Sequence, residues 1–145
     1  MTKDEYYLKI AEAVASKSPC LNKHYGAVIV KDDIIIATGY NGPARGEKHC
    51  EKCTKCSNGK DYEAYISCPA IHAEQNAIIA AAREQMIDAT MYLYGYSVEI
   101  QKEINAIPCE ICFRLLKNSG ISKVISKDGI CCFRDLNGSL KRLIK

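Results

Sequence analysis

Hydrophobic side chains at the start of the chain recur at the spacing of one helical face. Residues 2–18 place four apolar or aromatic side chains on such a stripe. They are Tyr6, Tyr7, Ile10 and Val14. Thr2, with Glu5 three positions later, is the pattern of a capping box, and Pro19 ends the run. This segment is therefore expected to form an amphipathic first helix.

Short runs of β-branched and aromatic residues follow, and their pattern is typical of strands. Two runs, at 26–31 and 34–40, are separated by a polar turn and predict an antiparallel hairpin. Their poor alternation predicts strands that are buried on both faces. Further strands are expected at 90–97, 121–127 and 130–136. Further helices are expected at about 71–85, 108–120 and 139–145.

The alternation of strands with helices indicates an α/β fold. We expect a three-layer α/β/α arrangement, in which a central five-stranded mixed sheet carries helices on both faces. The 145 residues are 48% hydrophobic, which is enough to bury one continuous core, so a single domain is expected over 1–145. Within it, residues 42–68 are predicted to be a Cys-rich loop insertion, and a loop of this length is usually functional.

The charge of the chain favours a small-molecule partner over a nucleic acid or a membrane. The net charge is +3, and the 20 basic residues are interspersed with 17 acidic ones rather than gathered into a stripe. No run approaches the roughly 20 apolar residues of a membrane span, and the first residues lack the apolar region of a signal peptide. A cytoplasmic protein with no membrane or nucleic-acid partner is expected.

The nine cysteines are unusual for a chain of 145 residues. Their odd number and the lack of a secretory signal favour reduced thiols, and clustered cysteine and histidine then bind metal more often than they form bridges. The alternative is a disulfide-stapled extracellular protein, which predicts no bound metal. The segment 46–78 alone holds Cys50, Cys53, Cys56, Cys68, His49 and His72.

Two motifs indicate one catalytic metal. His72 and Glu74 form His-x-Glu, and Pro108 is followed by Cys109 and Cys112 in Pro-Cys-x-x-Cys. The combination is the signature of zinc-dependent deaminases. Both thiols are expected to project from one face at a helix start, near the positive end of its dipole, with His72 as third ligand. Three protein ligands leave the fourth tetrahedral position for water.

Glu74 is the expected proton shuttle. Zinc lowers the pKa of its bound water toward about 7. Glu74 is displaced around the helix from His72 but close enough to take the proton of that water, protonate a ring nitrogen and help ammonia leave. Each motif alone is ambiguous, because a Cys-x-x-Cys pair is also typical of redox pairs and of structural zinc sites.

These residues resemble the cytidine and deoxycytidylate deaminase family, and within it the deoxycytidylate (dCMP) deaminases, over most of the chain. The stretch SPCLNKHYGAVIVKDDIIIATGYNGPARGEKHC, residues 18–50, is similar to the family's Ser-x-Cys, Gly-Ala-Val-Ile-Val and Gly-Tyr-Asn-Gly segments. IHAEQNAI, residues 71–78, resembles its His-Ala-Glu-x-Asn-Ala-Ile.

The resemblance implies a cytidine-deaminase-like fold, a catalytic zinc and the hydrolysis of dCMP to dUMP and ammonia. It also implies a homo-oligomer, either a dimer or a hexamer. Asn41 is expected to hydrogen-bond the sugar, and the loop at 42–46 is expected to lie near the phosphate. The substrate-binding residues implied are Asn41, Gly42, Arg45 and Ala73. Lys23 and Lys48 are further candidates for pairing with the phosphate.

The remaining loop cysteines are candidates for a second, structural zinc. Some family members hold one with cysteines at the positions of Cys20 and Cys50, together with histidines that this chain lacks. A closed site prefers four sulfur or nitrogen ligands. Four of the following are expected to supply it: Cys20, Cys50, Cys53, Cys56 and Cys68. Cys131 and Cys132 lie in an apolar strand and are expected to be small buried hydrophobes.

Two departures from the family pattern leave the substrate and its regulation open. The connection before Pro108 is longer and more polar than is common, and Asn22 stands where many relatives have arginine. One alternative is therefore a deaminase of another cytosine-containing nucleoside, base or nucleotide. The alternative from another class is a zinc-ribbon-like nucleic-acid-binding module, although the chain lacks the basic and aromatic face of such binders.

Overall fold

The computed structural model describes residues 1–53 and 66–143. Its helices are α1 (Lys3–Ala15), α2 (Ala73–Ala80), α3 (Arg83–Met86) and α4 (Glu110–Ser119). Its strands are β1 (Lys23–Lys31), β2 (Ile34–Tyr40), β3 (Gly42–Pro43), β4 (Ala70–Ile71), β5 (Thr90–Ser97), β6 (Lys102–Ile104), β7 (Lys123–Ser126), β8 (Gly129–Arg134) and β9 (Leu140–Arg142). Among these residues the longest helix has 13 residues, and no helix is long and apolar enough to cross a membrane.

The main sheet has the strand order β2-β1-β5-β7-β8-β9, and β6 also pairs with β5. Strands β5 and β7 run parallel, whereas the other neighbours in the sheet are antiparallel. The predicted hairpin and the mixed character of the sheet are confirmed. The sheet has seven strands rather than the predicted five, because β6 and β9 extend it.

The C-terminal segment forms strand β9, and the predicted helix at 139–145 is wrong. A tight turn precedes it, in which the side chain of Asp135 accepts hydrogen bonds from the backbone of Asn137 and Ser139. Gly138 has φ +81°, a conformation that glycine adopts readily. Asn137-Gly138 is a typical hairpin sequence, and this local signal outweighs the helical pattern of the residues that follow.

The predicted helix at 71–85 is broken into two. Helix α2 ends at Ala80, where Ala81 takes an extended conformation with ψ 154°, and the four-residue α3 follows. All the residues at the break are alanines, which give no sequence signal for an end. The shorter α2 still places the His72–Glu74 motif at a helix start, as predicted.

Helices lie on both faces of the sheet, as predicted. Strand β1 separates two hydrophobic cores, since Ala27 and Ile29 contact one and Val28 and Val30 contact the other.

Helix α1 closes the second core with Tyr7, Ala11 and neighbours, so its buried stripe includes alanines, whereas Tyr6 is 51% exposed. The capping box of Thr2 and Glu5 is present. Strand β2 is an edge strand and, against the prediction, exposes Ile34.

Candidate metal centre and active site

The three predicted zinc ligands sit at the N-termini of two helices on one side of the sheet. His72 is the N-cap residue of α2, and Cys109 is the N-cap residue of α4. Cys112 lies in the first turn of α4, and its backbone N–H donates to Sγ of Cys109 over 3.5 Å. Gly120 ends α4 in the left-handed conformation expected of a C-cap glycine. The two helices therefore point their amino ends at a common space.

The ligand atoms of this group are placed for a tetrahedral metal ion. Nδ1 of His72 lies 3.3 Å from Sγ of Cys112 and 3.4 Å from Sγ of Cys109, and all three atoms lie within 4.8 Å of one another. A zinc ion with Zn–S of about 2.3 Å and Zn–N of about 2.05 Å separates a sulfur from a nitrogen ligand by about 3.5 Å. The spacing therefore fits zinc.

The chemistry of the donor set also favours a cation. The pKa of the Cys112 thiol is raised, first by its hydrogen bond with Cys109, then by burial and by the charge of Glu74. Ionising Cys112 alone would place negative charge beside Cys109 and the carboxyl of Glu74, where there is little access to water. A divalent cation removes this repulsion and stabilises the thiolates that metal binding requires.

Glu74 is buried beside these ligands in the first turn of α2, with 6% of its surface exposed. Burial raises the pKa of its carboxyl, while a backbone hydrogen bond and the neighbouring His72 act in the opposite direction. A carboxyl whose pKa moves toward neutrality can both accept and donate a proton during one reaction. The position and environment of Glu74 suit the predicted proton transfer.

A cavity of about 330 Å³ opens onto His72, Glu74 and Cys109. Its volume is that of a pocket for a small ligand. Asn41 and Lys23, both expected at the substrate, also line this cavity. The metal ligands, the buried carboxyl and two of the candidate binding residues therefore share one space.

Asn41 is already hydrogen-bonded to the backbone of β1. Its Oδ1 accepts from the N–H of Tyr25 over 2.8 Å, and its Nδ2 donates to the carbonyl of Lys23 over 2.9 Å. One amide hydrogen and one lone pair of this side chain remain for a ligand. Asn41 thus fixes the loop after β2 and keeps capacity for the expected sugar contact.

The other expected substrate residues lie elsewhere. Gly42 and Arg45 line a second cleft of about 340 Å³, next to Lys17 and Asn76. Ala73 is fully buried in the hydrophobic core, so its side chain is not exposed to the cavity. The substrate contacts expected of these three residues therefore stay predictions. Lys48 lies on the surface, where its Nζ forms an ion pair with Oε1 of Glu51 at 2.9 Å.

The loop cysteines gather near the same cavity. Cys20, Cys53 and Cys68 line it. Burial raises the pKa of the Cys20 thiol, and the nearby Cys68, Cys50 and Cys53 raise it further, whereas a hydrogen bond with Ser18 lowers it. Within residues 1–53 and 66–143, only the His72 group brings three ligand atoms within 4.8 Å of one another. Cys56 lies outside the described residues. Cys131 and Cys132 are buried in β8, as expected.

Tyr25 and Glu99 are cavity residues with polar side chains that the sequence did not predict. Tyr25 of β1 lines the cavity, and burial, followed by the charges of Glu74 and Cys109, raises the pKa of Tyr25 to about 12. Its hydroxyl is therefore a neutral donor at neutral pH. Glu99 reaches the cavity from the turn after β5. Tyr25 fitted the strand pattern and Glu99 a polar connection, so neither carried a separate signal.

Comparison with known proteins agrees with this site. The family model described as the cytidine and deoxycytidylate deaminase zinc-binding region matches residues 1–127. The deoxycytidylate deaminase of Mycobacterium phage D29 is 38% identical over 128 residues, which cover 84% of this chain and 91% of the phage protein.

Solved structures show the same fold. The dCMP deaminase of cyanophage S-TIM5 in apo form gives a TM-score of 0.62 at 26% identity, covering 87% of this chain and 84% of that protein. The same enzyme in complex with dCMP and dUMP gives a TM-score of 0.60 at 23% identity, covering 87% and 82%. With the metal-ligand motif in place and the family model spanning most of its length, the chain belongs to the zinc-dependent cytidine and deoxycytidylate deaminases.

Proposed function

We propose that this protein hydrolyses dCMP to dUMP and ammonia. The observation that carries the proposal is the buried carboxyl of Glu74, which faces one cavity together with the metal ligands His72 and Cys109. A phage relative that is named a deoxycytidylate deaminase, and a cyanophage enzyme of the same fold that binds dCMP and dUMP, support this substrate.

The metal ligands and Glu74 have different roles in the proposed reaction. His72, Cys109 and Cys112 would hold a zinc ion, which would supply an activated water at neutral pH. Glu74 accepts a proton from the attacking water and donates it to the pyrimidine ring nitrogen. As the bond from carbon to the amino group breaks, Glu74 transfers the second proton of the water to the leaving ammonia.

The nucleotide is recognised at the other groups of the cavity. The remaining donor and acceptor of Asn41 suit a sugar hydroxyl. Lys23 lines the cavity and supplies a positive charge for the phosphate. Arg45 and the backbone of Gly42 extend this surface into the neighbouring cleft.

The test compares the release of ammonia from dCMP, deoxycytidine, cytosine and CMP by the same zinc-loaded protein. We expect a clear preference for dCMP. Equal rates with the unphosphorylated compounds would instead support another cytosine-containing substrate. Binding to oligonucleotides that falls with salt, in the absence of any deamination, would favour the nucleic-acid-binding alternative.

Glu74→Gln tests the proposed mechanism. It keeps the size and the burial of the side chain but cannot exchange protons, so turnover should fall by about 10²- to 10⁴-fold while zinc remains bound. Glu84→Gln, the same change at an exposed carboxylate in the first turn of α3, is the matched control and should keep full activity. Full activity of Glu74→Gln would refute the role given to Glu74.

We also propose a second, structural zinc. Its candidate ligands that the structure describes are Cys20, Cys50, Cys53 and Cys68, and three of them line the same cavity. Zinc stoichiometry tests this, because two ions per chain are expected for the wild type and one for Cys68→Ser. Cys131→Ser, which changes a cysteine buried in β8, should keep both. A single zinc in the wild type would leave only the catalytic site.

The third element of the proposal is a homo-oligomer, a dimer or a hexamer. Apolar side chains on and before α4 are exposed in the chain by itself, namely Ile107, Ile111 and Leu115. Burying them against a second copy would remove apolar surface from water. Light scattering should give a mass of at least twice 16.1 kDa, and a monomer would contradict this element alone.

A further inference from the structure

Arg142 of the C-terminal strand reaches the start of the helix that carries both cysteine ligands. Its Nη1 donates to Oε1 of Glu110 over 2.7 Å, and its Nη2 donates to the carbonyl of Pro108 over 3.0 Å. Pro108 immediately precedes Cys109, and Glu110 immediately follows it. One guanidinium therefore holds the chain on both sides of a metal ligand.

The same guanidinium packs on the helix itself. Its Cζ atom lies 4.5 Å from the centre of the Phe113 ring, one turn further along α4. A planar cation over an aromatic face is an attractive and directional contact. The two hydrogen bonds and the ring contact fix Arg142 relative to three points around Cys109.

The position of Arg142 is set by the sheet. β9 pairs with β8 so that Arg142 lies opposite Cys132, and the backbone of Leu143 donates to the carbonyl of Cys131 over 2.9 Å. The side chain of Arg142 is 30% exposed, and its Nε is buried without a hydrogen-bond partner among the described residues. Its polar contacts are therefore made by the two terminal nitrogens, which point to the helix start.

We propose that Arg142 is a positioning residue that holds Cys109 and Cys112 in the geometry needed to bind the catalytic metal. It does not line the cavity, so it acts through the ligands and not on the substrate. Groups that orient metal ligands from outside the coordination sphere typically change metal affinity by about 10- to 100-fold when they are removed. This inference rests on the proposed zinc site of His72, Cys109 and Cys112.

Arg142→Met tests the proposal, since methionine keeps most of the apolar packing but makes none of the hydrogen bonds. The measurement is zinc affinity by competition with a chromogenic chelator, and it does not depend on activity. We expect the zinc Kd to rise by about 10-fold or more. With zinc at saturation, kcat for dCMP should fall while KM changes by less than about twofold, because Arg142 makes no cavity contact.

Three further variants are compared with Arg142→Met in the same measurement of zinc affinity. Lys141→Met changes the exposed neighbour on the same strand and should leave zinc affinity unchanged. Arg134→Met removes another arginine that contacts α4, but at its C-terminal end, and should lower thermal stability without weakening zinc binding. Arg142→Lys keeps the charge but loses the fork of two donors, so it should bind zinc with intermediate affinity.

Zinc binding by a folded Arg142→Met protein within about twofold of the wild type would overturn the proposal, since an orienting group is expected to matter by 10-fold. If Arg142→Met does not fold, Arg142→Lys decides: wild-type affinity overturns the proposal and weaker affinity supports it. A wild type that binds zinc but does not deaminate dCMP contradicts only the proposed substrate. A wild type that binds no zinc overturns both.

Discussion

Nδ1 of His72 lies 3.3 Å from Sγ of Cys112, although 40 residues separate them in the chain. The contact forms because α2 and α4 pack on the same face of the sheet with their amino ends adjacent. A metal site built this way depends on the relative position of two helices. Changes that move either helix should therefore affect zinc and stability together, whereas changes to a ligand should affect zinc directly.

Cys112→Ser should abolish tight zinc binding and deaminase activity. The hydroxyl of serine is a far weaker zinc ligand than a thiolate, and only two good ligands remain in the site. Cys132→Ser is the matched control, because Cys132 is also fully buried but lies in β8 outside the metal group. Zinc content after dialysis against a weak chelator distinguishes the two. Retention of zinc by Cys112→Ser would contradict the ligand assignment.

Gly39→Ala should destabilise the protein and weaken the active site. A Cβ at this position of β2 would come within 2.5 Å of the carbonyl oxygen of Ala73 and would also overlap the backbone N–H of Ala77, both in α2. Backbone atoms cannot rotate away, so α2 must shift from the sheet, at a cost of about 1–3 kcal/mol or more. Because α2 carries His72 and Glu74, kcat should fall as well.

Gly129→Ala, at the start of β8 and outside both clefts, is the control for this substitution. No atom of the described residues lies within 4 Å of a Cβ at Gly129, so only its positive φ of +102° opposes the change, at about 1–2 kcal/mol. Urea denaturation and kcat for both variants separate steric displacement of the helix from local backbone strain. A Gly39→Ala protein with wild-type stability and activity would show that α2 is not held closely by β2.

The catalytic part of the site could be predicted from the sequence because its chemistry depends on residue types at short spacing. His72 with Glu74, and Cys109 with Cys112, each lie within one helical turn, and the helix starts bring the pairs together. Tyr25 could not be predicted in this way. It occupies an ordinary strand position, and only the packing of β1 between two cores turns its ring toward the cavity.

The limits of the fold prediction have a similar cause. Strands with strong β-branched patterns, such as β1, were predicted closely, whereas β9 has three residues and depends on pairing with β8. Arg142 therefore gave no signal of its position until that pairing was known. Its contacts with Pro108 and Glu110 span more than 30 residues of sequence, which local patterns do not encode.

Asn41→Ala should lower stability even without substrate. The substitution leaves the N–H of Tyr25 and the carbonyl of Lys23 without the partners that Asn41 supplies, at a cost of about 1–3 kcal/mol. Asn22→Ala is a control in the same cavity, since the backbone carbonyl of Asn22, which the substitution keeps, accepts the hydrogen bond from the N–H of Val98. Thermal unfolding of the substrate-free proteins makes the comparison, and equal melting temperatures would contradict the structural role of Asn41.

Arg134→Met should destabilise the protein while leaving the metal site intact. Nη2 of Arg134 donates to the carbonyls of Leu116 and Lys117, each over 3.3 Å, at the C-terminal end of α4. It also donates to the carbonyl of Ile121 over 2.9 Å. A cation at this end of a helix satisfies carbonyls that lack helical partners and interacts favourably with the helix dipole.

The loss of these bonds should lower the free energy of unfolding by about 2–3 kcal/mol, since each hydrogen bond from a charged donor contributes about 1.5–3 kcal/mol and the site is partly exposed. Arg114→Met, on the exposed side of the same helix, controls for the loss of one positive charge. Urea denaturation gives the stabilities, and chelator competition gives the zinc Kd. A weaker zinc affinity in Arg134→Met would mean that the two ends of α4 are coupled, because the hydrogen bonds of the Arg134 side chain within the described residues go to Leu116, Lys117, Ile121 and Gly138, away from Cys109. An unchanged Kd with reduced stability would assign Arg134 to the fold, in contrast to the effect on zinc expected for Arg142.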